Sequence, residues 1–330
     1  MRIVEQVKKT IELYEMVRPN DALIVAVSGG PDSVFLFHAM NRIREKLRLR
    51  IYVCHLNHGL RGKESDEDAR FVKKLAGESQ VPFIQKKIAL TTEGNRHISL
   101  EERAREVRYE YFVSTAKKVE AQSIATGHTL DDQAETVMMR IIKGTSVRGL
   151  SGIPPVREEL GIRIIRPLIE IERRQIEEYL RKEGIPFRVD RTNAEEIFFR
   201  NVVRRRILPY LEQFNPRIKR SLFNFAQHVR EDREFIESAR RLASGRVIAK
   251  GDRGTEILLG EMVIQPRALQ KEILRDALER AGGNIKKLTY RHWKDMENFI
   301  RFKRKGQSID LPGGIRVSRT EKALIFEKKQ

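Results

Sequence analysis

Six consecutive residues, Ser28-Gly29-Gly30-Pro31-Asp32-Ser33, separate two apolar runs in the stretch IVAVSGGPDSVFLFHAM, Ile24 to Met40. Two adjacent glycines permit backbone conformations closed to other residues and let the main chain approach a ligand closely. Main-chain N–H groups opening a helix favour an anion there, and the two serine hydroxyls add donors. A phosphate is the ligand such a turn suits, although an ordinary tight strand-to-helix turn uses the same residues. Further along, GHTLDDQAETVMMR (127–140) offers Asp132 and Glu135, three apart and therefore on one helix face. A carboxylate pair near a phosphate site suits Mg2+, which takes only one or two protein oxygens; it equally suits a cationic amine. Acids favoured by the helix dipole are the plainer alternative. In SLEERAREVRYEYF, Arg105 and Arg108 stand among acids, and Arg108 follows Glu101 by seven residues and shares its face. That arginine can hold a carboxylate or a phosphate, or belong to a surface ion-pair lattice.

The elements that must position these residues alternate. Strands are expected at 22–27 (ALIVAV), 50–56 (RIYVCHL), 82–88 (PFIQKKI), 122–127 (QSIATG) and 162–165. Helical periodicity runs over 34–47, 65–76, 99–119, 131–142 and 171–182, the third opening with the capping-box pattern Ser99-x-x-Glu102. This alternation predicts an α/β fold, a doubly wound parallel sheet covered on both faces. In such sheets ligands sit beyond the C-terminal strand ends where strand order reverses. If the first and fourth strands are neighbours, the glycine loop faces the Asp132 turn. No lysine follows the glycines, as a Walker loop requires, and no G-x-G-x-x-G dinucleotide fingerprint is present.

Beyond Asn215-Pro216, where proline ends a helix, a second, smaller and mainly helical basic domain is expected over 216–330. It contains amphipathic helices to Ala243 and from Pro266 to Ala281, a short strand at 256–259 and a hairpin-like tail. Of the net charge of +19, residues 216–330 supply about 27 basic against 15 acidic side chains, a surplus of roughly +12. Such an excess favours polyanions, nucleic acid first and acidic membrane surfaces second. No apolar run approaches a membrane span and the start, MRIVEQVKKT, lacks a secretory apolar core, so a cytoplasmic protein with no membrane partner is expected. The single cysteine, Cys54, rules out a disulfide framework and multi-cysteine metal or iron–sulfur sites.

The S-G-G-x-D-S pattern after the first strand resembles the pyrophosphate loop of the N-type ATP pyrophosphatases, the PP-loop family. Within it, CHLNHGLRG (54–62), GHTLDDQAET, KGTSVRGLSGIPP (143–155), RPL (166–168), FRVDRTN (187–193) and RNVVRRRILPYL (200–211) follow in the order seen in the tRNA(Ile)-lysidine synthetases. The likeness covers most of 20–215, the expected catalytic domain 1–215; beyond it only basic charge and size agree, and longer members carry a further C-terminal domain.

The resemblance implies an ATP-dependent carbon–nitrogen ligase. It would join lysine to the wobble cytidine of an isoleucine tRNA with a CAU anticodon, adenylating the cytosine 2-carbonyl oxygen before lysine displaces AMP. On that reading Ser28, Gly29, Gly30, Pro31, Asp32 and Ser33 hold the ATP phosphates. His55 and Asn57 meet adenosine, and Gly127 and His128 close over it. Asp132, Glu135 and Arg108 are catalytic, Asp32 and Asp132 are Mg2+ ligands, and Arg200, Arg204, Arg205 and Arg206 touch the tRNA backbone. A homodimer stays open. A tRNA thiolase, a small-molecule amide ligase and a non-catalytic basic RNA-binding protein are the alternatives.

Overall fold

The computed structural model describes residues 2–57, 59, 62–88, 100–188, 199–285, 288–301 and 306–329. The Ser99 cap, His58, Leu60, Arg61 and Val189–Asn193 of the quoted motifs lie outside them. Helix α1 (Arg2–Leu13) leads into β1 (Ala22–Ala26), α2 (Pro31–Leu47), β2 (Arg50–Asn57), α3 (Lys63–Glu78), β3 (Phe83–Lys87), α4 (Leu100–Lys118), β4 (Ser123–Ala125) and α5 (Leu130–Lys143). Then follow α6 (Val147–Leu150), β5 (Val156–Glu159), β6 (Ile162–Ile165), α7 (Arg173–Lys182), α8 (Phe199–Val202) and α9 (Leu208–Glu212), with a π-helical turn at Val203–Ile207 between the last two. The five strands and five helices expected for this half all appear, with ends shifted by a few residues.

The sheet order is β3-β2-β1-β4-β6-β5. Strand β1 pairs in parallel with β2, Ala22 opposite Arg50, and with β4, Leu23 opposite Ser123. The order therefore reverses at β1, and the C-terminal ends of β1 and β4 are adjacent. Only β5, an edge strand missing from the sequence reading, runs antiparallel, against β6. Period-two alternation splits β1 between two layers. Leu23 and Val25 pack with Phe35, Leu36, Met40 and Leu180 on one face, while Ala22 and Ile24 meet Cys54, Phe112 and Ile124 on the other. Both faces are dry, as a parallel sheet requires.

Helix α10 (Ile218–Val247) begins just past Asn215-Pro216, but the compact units divide later, as 1–227 and 228–330. The reason is packing. Leu222 and Ala226 join Ala134, Val137, Val203 and Leu208 in one apolar cluster, and Phe223 joins Leu130 and Ile169 in another. The first turns of α10 thus belong to the first unit, whereas the helix break at Asn215-Pro216 puts the expected boundary at the proline.

The second unit holds β7 (Ile248–Gly251), β8 (Gly254–Leu258), α11 (Leu259–Val263), α12 (Arg267–Arg280), α13 (Tyr290–Arg301), β9 (Ser308–Leu311), β10 (Ile315–Arg319) and β11 (Ala323–Lys328). Its strands form one antiparallel sheet, β7-β8-β11-β10-β9. The expected short strand and tail hairpin are parts of that sheet. Its core is Ile257, Ile273, Leu274, Trp293, Phe299 and Phe326 among others. No helix among the described residues is long and apolar enough to cross a membrane.

Candidate active site

The loop between β1 and α2 is tied by one side chain. Ser33 Oγ accepts from the main-chain N–H of Ser28 at 3.1 Å and of Gly29 at 3.2 Å, and donates to Gly30 O at 2.9 Å. Ser28 Oγ lies 3.1 Å from the same hydroxyl. Ser33 is buried, so it shapes the loop, and two N–H groups expected to face a ligand are already paired. Gly29 holds a φ of +101°, in the range that favours glycine. Pro31 opens α2 as its first residue, where a missing N–H costs nothing. Gly127, at the tip of β4, lies directly against this loop. A Cβ there would come within 3.2 Å of Asp32 C and 3.3 Å of Asp32 O and Ser33 N.

The two halves are joined by an arginine that the sequence reading passed over. Arg173, the first residue of α7, sets Nε 3.0 Å from Asp32 Oδ2 and Nη2 3.4 Å from Asp132 Oδ1, and its backbone N–H donates to Asp131 at 2.8 Å. No spacing rule marks it, because its partners lie 141 and 41 residues away.

Asp132 also closes a capping box on α5. Its Oδ2 accepts from Thr129 N at 2.9 Å and Thr129 Oγ1 at 3.0 Å. Arg200 Nη2 reaches Asp132 Oδ1 at 3.0 Å, and Arg200 Nε reaches Glu135 Oε2 at 2.8 Å. Arg204 grips Glu135 with two bonds, of 2.6 and 3.1 Å. Glu135 is 1% exposed; a carboxylate so buried needs such partners.

Electrostatics separate the two aspartates. Burial raises Asp32 to about 6, against Arg173 and with help from Asp132 and Asp131. Burial also acts to raise Asp132, but Arg173, Arg200, His128 and the Thr129 N–H together hold it well below the carboxylate range. Asp32 Oδ1 is a buried oxygen with no partner among the described residues. It fits a hard cation, which takes one or two carboxylate oxygens and keeps its waters. Both oxygens of Asp132 are engaged, so Asp32 is the readier ligand of the two expected. No cage of three acids, histidines or cysteines exists among the described residues.

The remaining sequence-predicted residues divide. His128 faces cations: burial first, then Arg166, Arg105 and Arg200, push it down to about 3. Its Nδ1 lies 2.9 Å from Thr126 Oγ1. The arginine of α4 whose charge reaches His128 is thus Arg105. Arg108, expected from its helical face to hold a carboxylate or a phosphate, is exposed, as Arg105 is. His55 is buried, with Nδ1 donating to Val27 O at 2.8 Å and Nε2 buried without a partner among the described residues. Burial lowers its pKa, so the neutral ring offers an acceptor. Asn57 binds Ser65 O, Asp66 and the Gly59 N–H, and so organises the turn after β2.

Of the four arginines expected on tRNA, Arg200 and Arg204 instead point at Asp132 and Glu135, while Arg205 and Arg206 are exposed. The π-turn explains the split. It adds a residue to the winding, so Val203 and Leu208, five apart, are both buried while Arg204 turns inward.

Residues 2–211 match the model of the PP-loop domain. A tRNA(Ile)-lysidine synthase of Clostridioides difficile is 35% identical over 331 residues, covering 99% of this chain and 71% of the relative. One of Caldanaerobacter subterraneus is 33% identical, covering 99% and 70%. Among solved structures, a U34-tRNA thiolase of Methanococcus maripaludis, with its 4Fe-4S cluster, superposes with a TM-score of 0.59 at 20% identity, over 69% of this chain and 78% of that one. That likeness is one of fold. The relatives, the motif order and the meeting of loop and acid pair agree, and the chain belongs to the tRNA(Ile)-lysidine synthase family of PP-loop proteins.

Proposed function

We propose that the protein uses ATP to join lysine to the wobble cytidine of CAU-anticodon isoleucine tRNA, in the cytoplasm. The observation that carries this reading is Arg173 bridging Asp32 and Asp132. It ties the glycine loop to the acid pair, an arrangement that plain RNA binding does not require.

In the first step the cytosine 2-carbonyl oxygen attacks the α-phosphorus of ATP and diphosphate leaves. The N–H groups of Gly30, Asp32 and Ser33, at the opening of α2, would donate to the phosphates, and preorganised donors of this kind are the usual main source of rate. Asp32, with Asp132 as the second candidate, would hold Mg2+, which when bound offsets phosphate charge. In the second step the lysine ε-amine attacks C2, loses a proton, and the C2–O bond breaks to release AMP. Asp132 and Glu135 already hold two guanidinium groups, so their affinity for cations is built in. A lysine ammonium would take these carboxylates in exchange, and one of them accepts the proton, since an ammonium is no nucleophile. His55 Nε2 would accept a hydrogen bond from the adenine edge.

A thiolase needs reactive sulfur. The lone Cys54 is buried and its thiol is pushed up to about 11, chiefly by burial, which leaves it a poor thiolate. The basic second unit anchors the tRNA through phosphates. Removing 228–330 therefore weakens tRNA binding and spares ATP binding, and the cut belongs there rather than at Pro216 because Leu222 and Phe223 hold the first unit together.

Incubation with ATP, Mg2+, labelled lysine and CAU isoleucine tRNA tests the reading. Label in the RNA with AMP released in equal amount is expected; AMP without labelled RNA refutes lysine as the acceptor.

A further inference from the structure

The exposed side of the α8–α9 segment has no use in the ligation chemistry. Tyr210 and Phe214 are 59% and 73% exposed, with ring centroids 5.3 Å apart in an edge-to-face pair. Two large rings turned to water beside a buried site cost burial that a helix end could readily recover, and such exposure marks a binding surface. Their surroundings are positive. Arg206 stands four residues before Tyr210 and is exposed; Arg205 and Arg217 are also exposed. The nearby acid, Glu212, is turned onto Lys219 at 2.9 Å, which also holds Asp131 at 3.1 Å. Flat π-faces rimmed by guanidinium groups suit unpaired nucleic-acid bases, which stack on aromatics while arginines take the backbone. A protein or lipid partner would call for a wider apolar patch and gives no reason for this rim.

The geometry points to Tyr210 and Phe214 as a stacking platform for unpaired bases of the RNA substrate, with Arg205 and Arg206 on the adjoining phosphates. The platform rests on the tRNA reading above and adds a specific contact to it. Arg200 and Arg204, on the inward side of the same segment, grip the acid pair, so the platform and the acid pair share one helical segment.

The test uses the full chain and two probes, the CAU isoleucine tRNA transcript and a single-stranded RNA oligomer carrying 2-aminopurine, whose fluorescence falls on stacking. Wild type quenches the oligomer. The Tyr210→Ala/Phe214→Ala variant, with an unchanged circular dichroism spectrum, binds both RNAs on the order of tenfold or more weakly and loses the quench. Its salt slope stays at the wild-type value, because phosphate contacts persist. The Arg205→Ala/Arg206→Ala variant shows the converse, a shallower slope with quenching retained, and Tyr210→Phe/Phe214→Tyr binds as wild type. Wild-type affinity and quenching in the double-alanine variant overturn the platform. So does a loss of affinity that accompanies conversion of a dimer to a monomer in sedimentation, which assigns the rings to self-association. A wild type that quenches the oligomer but forms no lysidine supports the platform while refuting the ligase reading.

Discussion

Each compact unit contains an arginine–carboxylate network, and the two are built differently. In the second unit Arg240 pairs with Glu237 on its own helix and with Asp276 on α12, and Asp276 also holds Arg280 at 2.9 Å. Two of these three contacts span three or four residues, and both Asp276 oxygens are used. In the first unit Asp32, Asp132, Glu135, Arg173, Arg200 and Arg204 come from four separate segments. One buried oxygen, Asp32 Oδ1, has no partner among the described residues, and Glu135 is all but sealed from water. The same kinds of side chain thus make a local brace in one place and the proposed reaction centre in the other. Convergence from distant segments and unmet bonding capacity tell them apart; ion pairing does not.

The comparison breaks most readily on activity. Glu135→Gln or Asp132→Asn lowers lysidine formation about a hundred- to ten-thousand-fold, the range for a lost proton-transfer group, whereas Glu237→Gln leaves the rate at the wild-type level. A comparable loss from the Glu237 change would erase the distinction. Stability gives the next effect, read by urea unfolding. Glu135→Ala strands two guanidinium groups against a buried surface and costs about 3–5 kcal/mol. Glu237→Ala, on a more open pair, costs about 1 kcal/mol or less.

The smallest effect is a difference of sign in the ligand-free protein. The folded state raises Asp32 to about 6, above the unfolded value near 3.9. Between those values the folded chain keeps a proton the unfolded chain has lost, so stability falls as pH rises, and the full cost stands above pH 6. Asp32→Asn therefore raises the melting midpoint near pH 7.5 and leaves it nearly unchanged near pH 4.5. Asp276 is the reverse case. Burial acts to raise it, but Arg280, Ser244 and Arg240 carry it below its usual value, so its charge stabilises at neutral pH and the benefit is lost as pH falls through the folded value. Asp276→Asn lowers the midpoint near pH 7.5. Shifts of the same sign in both variants would show that the two networks are alike.

Much of the site was legible before the fold. Ser28 to Ser33, Gly127, Asp132 and Glu135 were picked out by residue type at a strand-to-helix turn, and all of them meet at the β1–β4 junction. Local rules sufficed because a glycine turn, a proline at the first helical position and acids at i and i+3 are properties of a few consecutive residues. Arg173 and the inward turn of Arg200 and Arg204 were not legible. Arg173 has partners far away in the chain, and the arginines of a helix differ only in which side the tertiary structure covers. The second unit shows the same limit. Its strands are short and its sheet closes between β8 and β11, whose register pairs Ala323 with Leu258.

The amino-acid sequence by itself determined the alternating elements, the phosphate turn, the acid pair and the excess of positive charge, because period, turn chemistry and composition are local or additive. Only the tertiary structure decided which arginines neutralise the acids, which aspartate keeps an unpaired oxygen, and where the first unit ends. Those outcomes depend on desolvation and on charges brought together by β1 and β4 lying side by side, and electrostatic energy follows distance in space rather than separation along the chain.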